Sequence, residues 1–255
     1  MDLNRRMFVQ TVAAGAALAA SGSHSALAQG AKVRAVAFDA YGTLFDVYSV
    51  GQLAEKLFPG QGNAISQLWR TKQIEYTWLR AMSGKYRTFW EVTEDGLVFT
   101  AQRLGLDLTD DKKRALMEQY NKLDPFPENL EVLKQLKGMG VRMAILSNGN
   151  PPMLEAAVKS ARMEGLFEAL LSVDSVKSFK TVPEVYRLGP DHFKLSAPEI
   201  VFVSSNGWDA AGATWFGYTT FWVNRAGNPT EVLGVRPVAE GKTLTDLVAF
   251  VKARM

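Results

Sequence analysis

Apolar positions along the chain follow two alternating patterns. Five short runs rich in β-branched and aromatic residues read as buried strands: "KVRAVAFD" (32–39), "VRMAILS" (141–147), "FEALLSV" (167–173), "EIVFVSS" (199–205) and "YTTFWVN" (218–224). Between the later runs the apolar residues recur at helical spacing, as in "PENLEVLKQLKGMG" (127–140) and "PPMLEAAVKSARMEG" (151–165), the second opening on prolines suited to a first helical turn. Strands that alternate with amphipathic helices predict right-handed crossovers and a doubly wound, Rossmann-like parallel sheet. In such sheets ligands bind beyond the carboxyl ends of the strands, so chemistry is sought there.

The first two strands are separated by far more chain than one crossover helix needs. This insertion, residues 47–124, is helical in pattern. "ISQLWRTKQIEYTWLRAMSG" (65–84) places Ile65, Leu68, Trp69, Tyr76 and Leu79 near one face, and "TEDGLVFTAQRLGL" and "TDDKKRALMEQYNKL" continue in the same mode. "DPFPEN" then returns the chain through turn residues. The expected organisation is a core of residues 30–46 and 125–255 with a helical cap inserted after the first strand.

The first 28 residues follow another pattern. Arg5-Arg6 precede an Ala-rich apolar stretch that ends in small residues at "ALA" before Gln29. That order is the layout of an export signal, and the arginine pair followed by Met7, Phe8 and Val9 resembles a twin-arginine signal. Cleavage after Ala28 and a periplasmic location are the expectations. The stretch is too short and too rich in Ala and Gly for a membrane span, so no membrane association is expected once the signal is removed.

Composition narrows the chemistry. The 255 residues include 29 basic and 26 acidic side chains without a dense basic cluster, which gives nucleic-acid binding little support. With no cysteine, a disulfide framework, a thiolate metal site and a cysteine nucleophile are excluded, and two histidines leave little room for a His-rich metal site or a Ser-His-Asp triad.

Polar residues cluster at four predicted strand ends: Asp39 in "FDAYGT", Ser147 and Asn148 in "LSNG", Lys180 in "SFKTVPEVY", and Asn206 with Asp209 in "SSNGWDA". Taken singly, each reads as a cap, a turn or a solvated loop residue. Their recurrence, in order, along one sheet edge points to a site. Arg70, Ile74 and Trp78 share a helix face at four-residue spacing, an apolar setting for an arginine.

These four clusters resemble the motifs of the haloacid dehalogenase superfamily. "FDAYGTLFDVYSV", "WRTKQIEYTWLR", "AILSNG", "LLSVDSVKSFK", "VYRL" and "FVSSNGWDAAGA" together are similar to the 2-haloacid dehalogenases that act on L-substrates, over about residues 32 to 250. The resemblance implies that Asp39 attacks C2 of a short 2-haloalkanoate, expels halide and forms an ester whose hydrolysis yields a D-2-hydroxyacid with inversion. It implies that Arg70 receives the halide, that Lys180 neutralises the crowded carboxylates, and that Asp209 activates water with help from Asn206 and Lys180. Thr43 is expected to fix the Asp39 rotamer. Ser147 and Asn148 are expected to hold the substrate carboxylate, Tyr186 to contact this network, and Tyr41, Phe89 and Trp208 to wall the haloalkyl group. No metal or organic cofactor is implied, and a homodimer is. Thr181 follows Lys180 where many superfamily members have proline, which implies a modest loop change.

Two alternatives differ at particular residues. A Mg²⁺-dependent phosphatase of this superfamily carries a second aspartate two residues after the nucleophile, to protonate an alkoxide, and an acidic pair in the last loop to hold the metal. Here those places are held by Tyr41 and by Asp209 with Asn206 and Ser205. The other alternative is a catalytically inactive small-molecule-binding homologue, against which the joint retention of Asp39, Arg70, Ser147, Lys180, Asn206 and Asp209 argues.

Overall fold

A computed structural model of the chain describes residues 32–255. The expected export signal and its cleavage point lie outside the described residues. Among the described residues no helix is long and apolar enough to cross a membrane.

Strand β1 (Ala35–Phe38) is followed by four helices: α1 (Gly51–Leu57), α2 (Gly62–Ser83), α3 (Phe89–Leu104) and α4 (Asp110–Tyr120). Then come α5 (Asn129–Gly138), β2 (Arg142–Ser147), α6 (Pro151–Ser160), β3 (Ala169–Ser172), α7 (Pro183–Phe193), β4 (Ile200–Ser204), α8 (Gly207–Phe216), β5 (Thr219–Val223), β6 (Ala239–Gly241) and α9 (Thr245–Lys252). All six strands are parallel, in the order β3-β2-β1-β4-β5-β6. The chain winds outward one way from β1 to β3 and the other way from β4 to β6, so the order reverses between β1 and β4. That reversal opens a crevice at the strand ends. Strands β1, β4 and β5 are buried along their whole length, the near-continuous apolar signature of a sheet covered on both faces.

The five expected strands are all present, and β6 is an addition. Its "AEG" has neither β-branched nor aromatic residues and is only half buried at the sheet edge. Propensity has nothing to detect there; pairing with Phe221–Val223 alone makes it a strand.

The insertion folds as the four helices α1–α4. Helix α3 starts on a capping box in which Thr88 and Glu91 satisfy each other's backbone N–H groups. Where the chain leaves and re-enters the core, the linkers lie side by side: Asp46 N–H donates to Asp124 O at 2.8 Å, and Phe45 bridges to Pro125. The buried face of α2 differs from the apolar stripe expected of it. Ile65, Ser66, Trp69, Arg70, Gln73, Ile74 and Thr77 are buried, whereas Leu79 is 49% exposed and Leu68 and Tyr76 are half-buried. The hydrophobic stripe misses this face because half of it is polar: Ser66 and Thr77 donate to carbonyls of α2 itself, Gln73 to Thr93 of α3, and Arg70 to groups at the sheet edge beneath.

Candidate active site

Asp39 stands one residue past the end of β1. Phe38 pairs with Ile145 of β2 on one side and Val203 of β4 on the other, so Asp39 emerges between the ends of those strands. Its N–H donates to Val203 O at 2.9 Å, which anchors it to the sheet while its side chain leaves it. The chain then turns sharply. Gly42 adopts φ +93°, a left-handed conformation costly for any residue with a Cβ, and its backbone runs close against the Asn206 amide. That turn swings Thr43 back so that its hydroxyl donates to Asp39 Oδ2 at 2.8 Å. Because Thr43 Oγ1 also accepts the Ser205 N–H at 2.8 Å, the hydroxyl proton is committed to Asp39.

A buried cation links two carboxylates. Lys180 Nζ donates to Asp39 Oδ1 at 2.9 Å and to Asp209 Oδ2 at 2.8 Å, with Lys180 and Asp209 sealed from solvent and Asp39 nearly so. Burial alone would depress the lysine, but the charges of Asp209 and Asp39 outweigh it and hold Lys180 above the ordinary range. Asp209 is pushed up to about 6, first by burial and then by the Asp39 charge against the opposing pull of Lys180. Tyr186 donates to Asp209 Oδ1 at 2.7 Å, and burial followed by the Asp209 charge keeps its phenol protonated. Thr181 leaves this arrangement intact, with the Lys180 loop tied to β2 by a 2.9 Å bond from Lys180 N–H to Asn148 Oδ1.

The cap supplies the opposite wall. Arg70 on α2 donates to Gln73 Oε1 at 2.7 Å, to Tyr41 O at 3.1 Å and to Asn206 Oδ1 at 3.2 Å. Asn206 in turn donates to Asp39 Oδ2 at 2.9 Å and Tyr41 O at 3.1 Å, so one amide joins the guanidinium to the carboxylate. Asp39, Tyr41, Arg70, Ile74, Phe89, Ser147, Asn148, Asn206 and Trp208 line one tight cavity. The Tyr41 ring packs against Phe89 at 5.3 Å and stacks on Tyr120 at 5.8 Å, and Trp208 is braced edge-on by Trp78 at 5.6 Å. Gly149 is what lets Tyr41 lie so close to β2: a Cβ there would sit 2.8 Å from Tyr41 Cε2. Ser147 Oγ accepts the Gly149 N–H at 3.1 Å, leaving its own proton for a ligand.

The structure therefore brings twelve predicted residues into one assembly. Asp39, Thr43, Lys180, Asn206, Asp209 and Arg70 form one hydrogen-bonded network, and Tyr41, Phe89, Trp208, Ser147 and Asn148 line the cavity beside it. Tyr186 is the exception to its expected grouping with substrate contacts. It is fully buried behind Asp209 among Phe202, Phe216 and Tyr218, and it reaches the site through Asp209, whose carboxylate and carbonyl both accept its hydroxyl. Four participants escaped the sequence reading of the site. Ser204, whose Oγ lies 3.5 Å from Asp39 Oδ2 and accepts the Asn206 N–H, was legible as the last polar residue of a strand adjoining β1. Ile74 lines the cavity one turn beyond Arg70. Gln73 lies one turn beyond Arg70 on the same helix, a spacing the sequence does show, whereas Tyr120 left no sequence signal, because only helix packing within the cap brings it to Gln73.

The doubly wound sheet with a strand-end aspartate, a buried lysine and an inserted helical cap matches a known family. The family model for haloacid dehalogenase-like hydrolases matches residues 33–217, and the chain belongs to that family. Among its relatives, the (S)-2-haloacid dehalogenase of Pseudomonas sp. strain YL is 46% identical over 85% of this chain and 93% of that one. Haloacetate dehalogenase H-2 of Moraxella sp. strain B is 46% identical over 81% and 92%. The fold is shared with a crystal structure of an L-2-haloacid dehalogenase at TM-score 0.85 and 55% identity, covering 87% of this chain and 99% of that one. The L-2-haloacid dehalogenase of Xanthobacter autotrophicus with chloropropionic acid covalently bound superposes at TM-score 0.83 with 36% identity, covering 88% and 100%.

Proposed function

We propose that the protein is an (S)-2-haloacid dehalogenase that hydrolyses short L-2-haloalkanoates to D-2-hydroxyacids through an ester on Asp39. The observation that carries this reading is the pairing across one tight cavity of a carboxylate held by Lys180, Thr43 and Asn206 with a buried arginine that has no acidic partner among the described residues. Ser147 and Asn148 at the end of β2 take the substrate carboxylate. Asp39 Oδ1, which carries one hydrogen bond against three on Oδ2, has the freer lone pairs and attacks C2. The carbon–halogen bonding pair leaves with the halide, which departs toward Arg70. Displacement from the back inverts C2.

The ester carbonyl formed from Oδ2 retains the Thr43 hydroxyl and the Asn206 amide as donors, placed to stabilise the negative charge that develops when water adds. Asp209 takes the proton from that water. Its two oxygens hold Lys180 and Tyr186 and still have lone pairs to spare. When the adduct collapses, the bond between Asp39 Cγ and the substrate oxygen breaks, and that oxygen takes up the proton Asp209 had accepted. The renewed Asp39 carboxyl loses the remaining water proton to solvent, and the hydroxyacid is released with C2 untouched in the second step. Water and the chain's own side chains balance the reaction.

The phosphatase alternative lacks its parts. Tyr41 holds the place of the second aspartate, with its hydroxyl buried without a hydrogen-bond partner among the described residues and its phenol pushed up by burial, which makes it a poor proton donor. The deciding assay is halide release from L-2-chloropropionate in the presence of EDTA. Metal-dependent turnover of a phosphate ester with no halide release from any chloro- or bromo-acid would reverse the assignment.

The same reading extends to assembly and location. The family resemblance supports a homodimer, to be checked by light scattering. The Arg5-Arg6 pair and the Ala-rich stretch behind it support export to the periplasm by the twin-arginine route. Replacing both arginines with lysine should trap the precursor in the cytoplasm, and unchanged export would count against that route.

A further inference from the structure

Arg70 is 8% exposed, and no carboxylate among the described residues forms an ion pair with it. Its three acceptors are the Gln73 amide, the Tyr41 carbonyl and the Asn206 amide, all uncharged. A buried cation ordinarily takes an anionic partner. Gln73 occupies the place such a partner would take, one helical turn along α2 and at the shortest distance, 2.7 Å.

The orientation of the Gln73 amide is fixed by what surrounds it. Thr93 Oγ1 donates its one proton to Phe89 O at 2.6 Å, so toward Gln73 it can only accept, and Gln73 Nε2 donates to it at 2.6 Å. The Gln73 oxygen must therefore face Arg70, where it also accepts the Tyr120 hydroxyl at 3.0 Å. Gln73 and Thr93 are fully buried, and Thr93 is tied further by the Trp69 indole, which donates to its carbonyl at 2.7 Å.

We propose that Gln73 is a positioning residue for dehalogenation: it orients Arg70 through a neutral acceptor and so leaves the guanidinium charge uncompensated for the departing halide. The proposal rests on Arg70 as the halide acceptor in the reading above. A glutamate could make the same hydrogen bond, but it would satisfy the charge as well as the geometry. The amide satisfies the geometry alone. Thr93 and Arg70 exclude the flipped amide, which would set acceptor against acceptor at Thr93 and donor against donor at Arg70.

The test is bromide binding to the free enzyme, followed by quenching of tryptophan fluorescence, with steady-state kinetics on L-2-bromopropionate and thermal melts alongside. In Gln73→Glu, bromide affinity should fall by ~10-fold or more, because a full opposite charge at hydrogen-bond distance cancels much of the arginine field. In Gln73→Met, which keeps the volume and adds no charge, kcat should fall while bromide affinity changes less than in the glutamate variant. Tyr120→Phe removes one hydrogen bond at the edge of the network and serves as the mild variant, with a small loss of kcat and bromide affinity retained. Equal losses of bromide affinity in the glutamate and methionine variants, or undiminished affinity in the glutamate variant, would overturn the proposal. Wild-type protein that releases no halide would instead sink the underlying reading, which Arg70→Gln tests separately by its own loss of bromide affinity.

Discussion

Lys180 Nζ lies 2.8 Å from Asp209 Oδ2, and neither side chain is exposed to solvent. The same ammonium reaches Asp39 at 2.9 Å, so one buried positive charge serves two buried negative ones. This leaves a local excess of one negative charge, held by neutral donors: the Thr43 hydroxyl and Asn206 amide on Asp39, and the Tyr186 hydroxyl on Asp209. The arrangement makes stability and catalysis respond differently to each of its members.

Removing the cation should be costly to the fold. Lys180→Met leaves two carboxylates buried without their partner, and loss of one member of such a group costs about 3–5 kcal/mol. Urea denaturation at pH 8 measures it. Lys180 is held above its ordinary range, so its stabilisation is present at pH 8 and would fade only as pH rises beyond that range and through the raised value. The penalty of the substitution should shrink as pH falls: Asp209, already raised to about 6 against the pull of Lys180, loses that pull in the variant and takes up its proton at higher pH, so one of the stranded charges disappears.

Asp209→Asn should separate the two chemical steps. Alkylation of Asp39 does not use Asp209 as a base, whereas hydrolysis does. One equivalent of halide should appear in a burst, followed by turnover slowed by ~10²–10⁴-fold. Mass spectrometry of the quenched enzyme should find the ester on the peptide that contains Asp39. A variant with neither burst nor adduct would assign Asp209 to the first step.

The pH dependence of ester hydrolysis follows from the same residue. Only the ionised Asp209 can take a proton from water, so the rate should fall as pH drops through the acidic limb. In the free enzyme that group titrates near 6, partly because charged Asp39 raises it. Esterification removes the Asp39 charge, so the limb for hydrolysis should lie below 6 and not above it. Single-turnover quench-flow between pH 4.5 and 8 locates it.

Asn206→Asp tests the amide that joins the two halves of the site. It replaces the donors to Asp39 Oδ2 and Tyr41 O with a carboxylate that would pair with Arg70. Loss of one such donor from a developing oxyanion costs ~10²–10³-fold in kcat. The thermal midpoint should change little by comparison, because Asn206 is only half-buried.

Much of this protein was legible from local sequence. Strand and helix alternation fixed the doubly wound sheet, since buried parallel strands need unbroken apolar runs that stand out from amphipathic helices. Asp39, Ser147 and Asn206 were visible as polar residues breaking out of such runs at their carboxyl ends. Tyr41 was legible for what it lacks, an acidic proton. The short edge strand β6 and the half-polar buried face of α2 were not, because neither departs from the composition of ordinary surface segments.

What the tertiary structure alone decided are the relations between distant residues. That Lys180 touches both Asp39 and Asp209, that Tyr186 backs Asp209 without facing the cavity, and that Gln73 is held by Thr93 and Tyr120 depend on contacts across 20 to 141 positions of chain. Pattern along a sequence records which face a residue presents. It does not record which polar atom that face will meet, because hydrogen-bond partners are chosen by packing between elements after the apolar core has set their places.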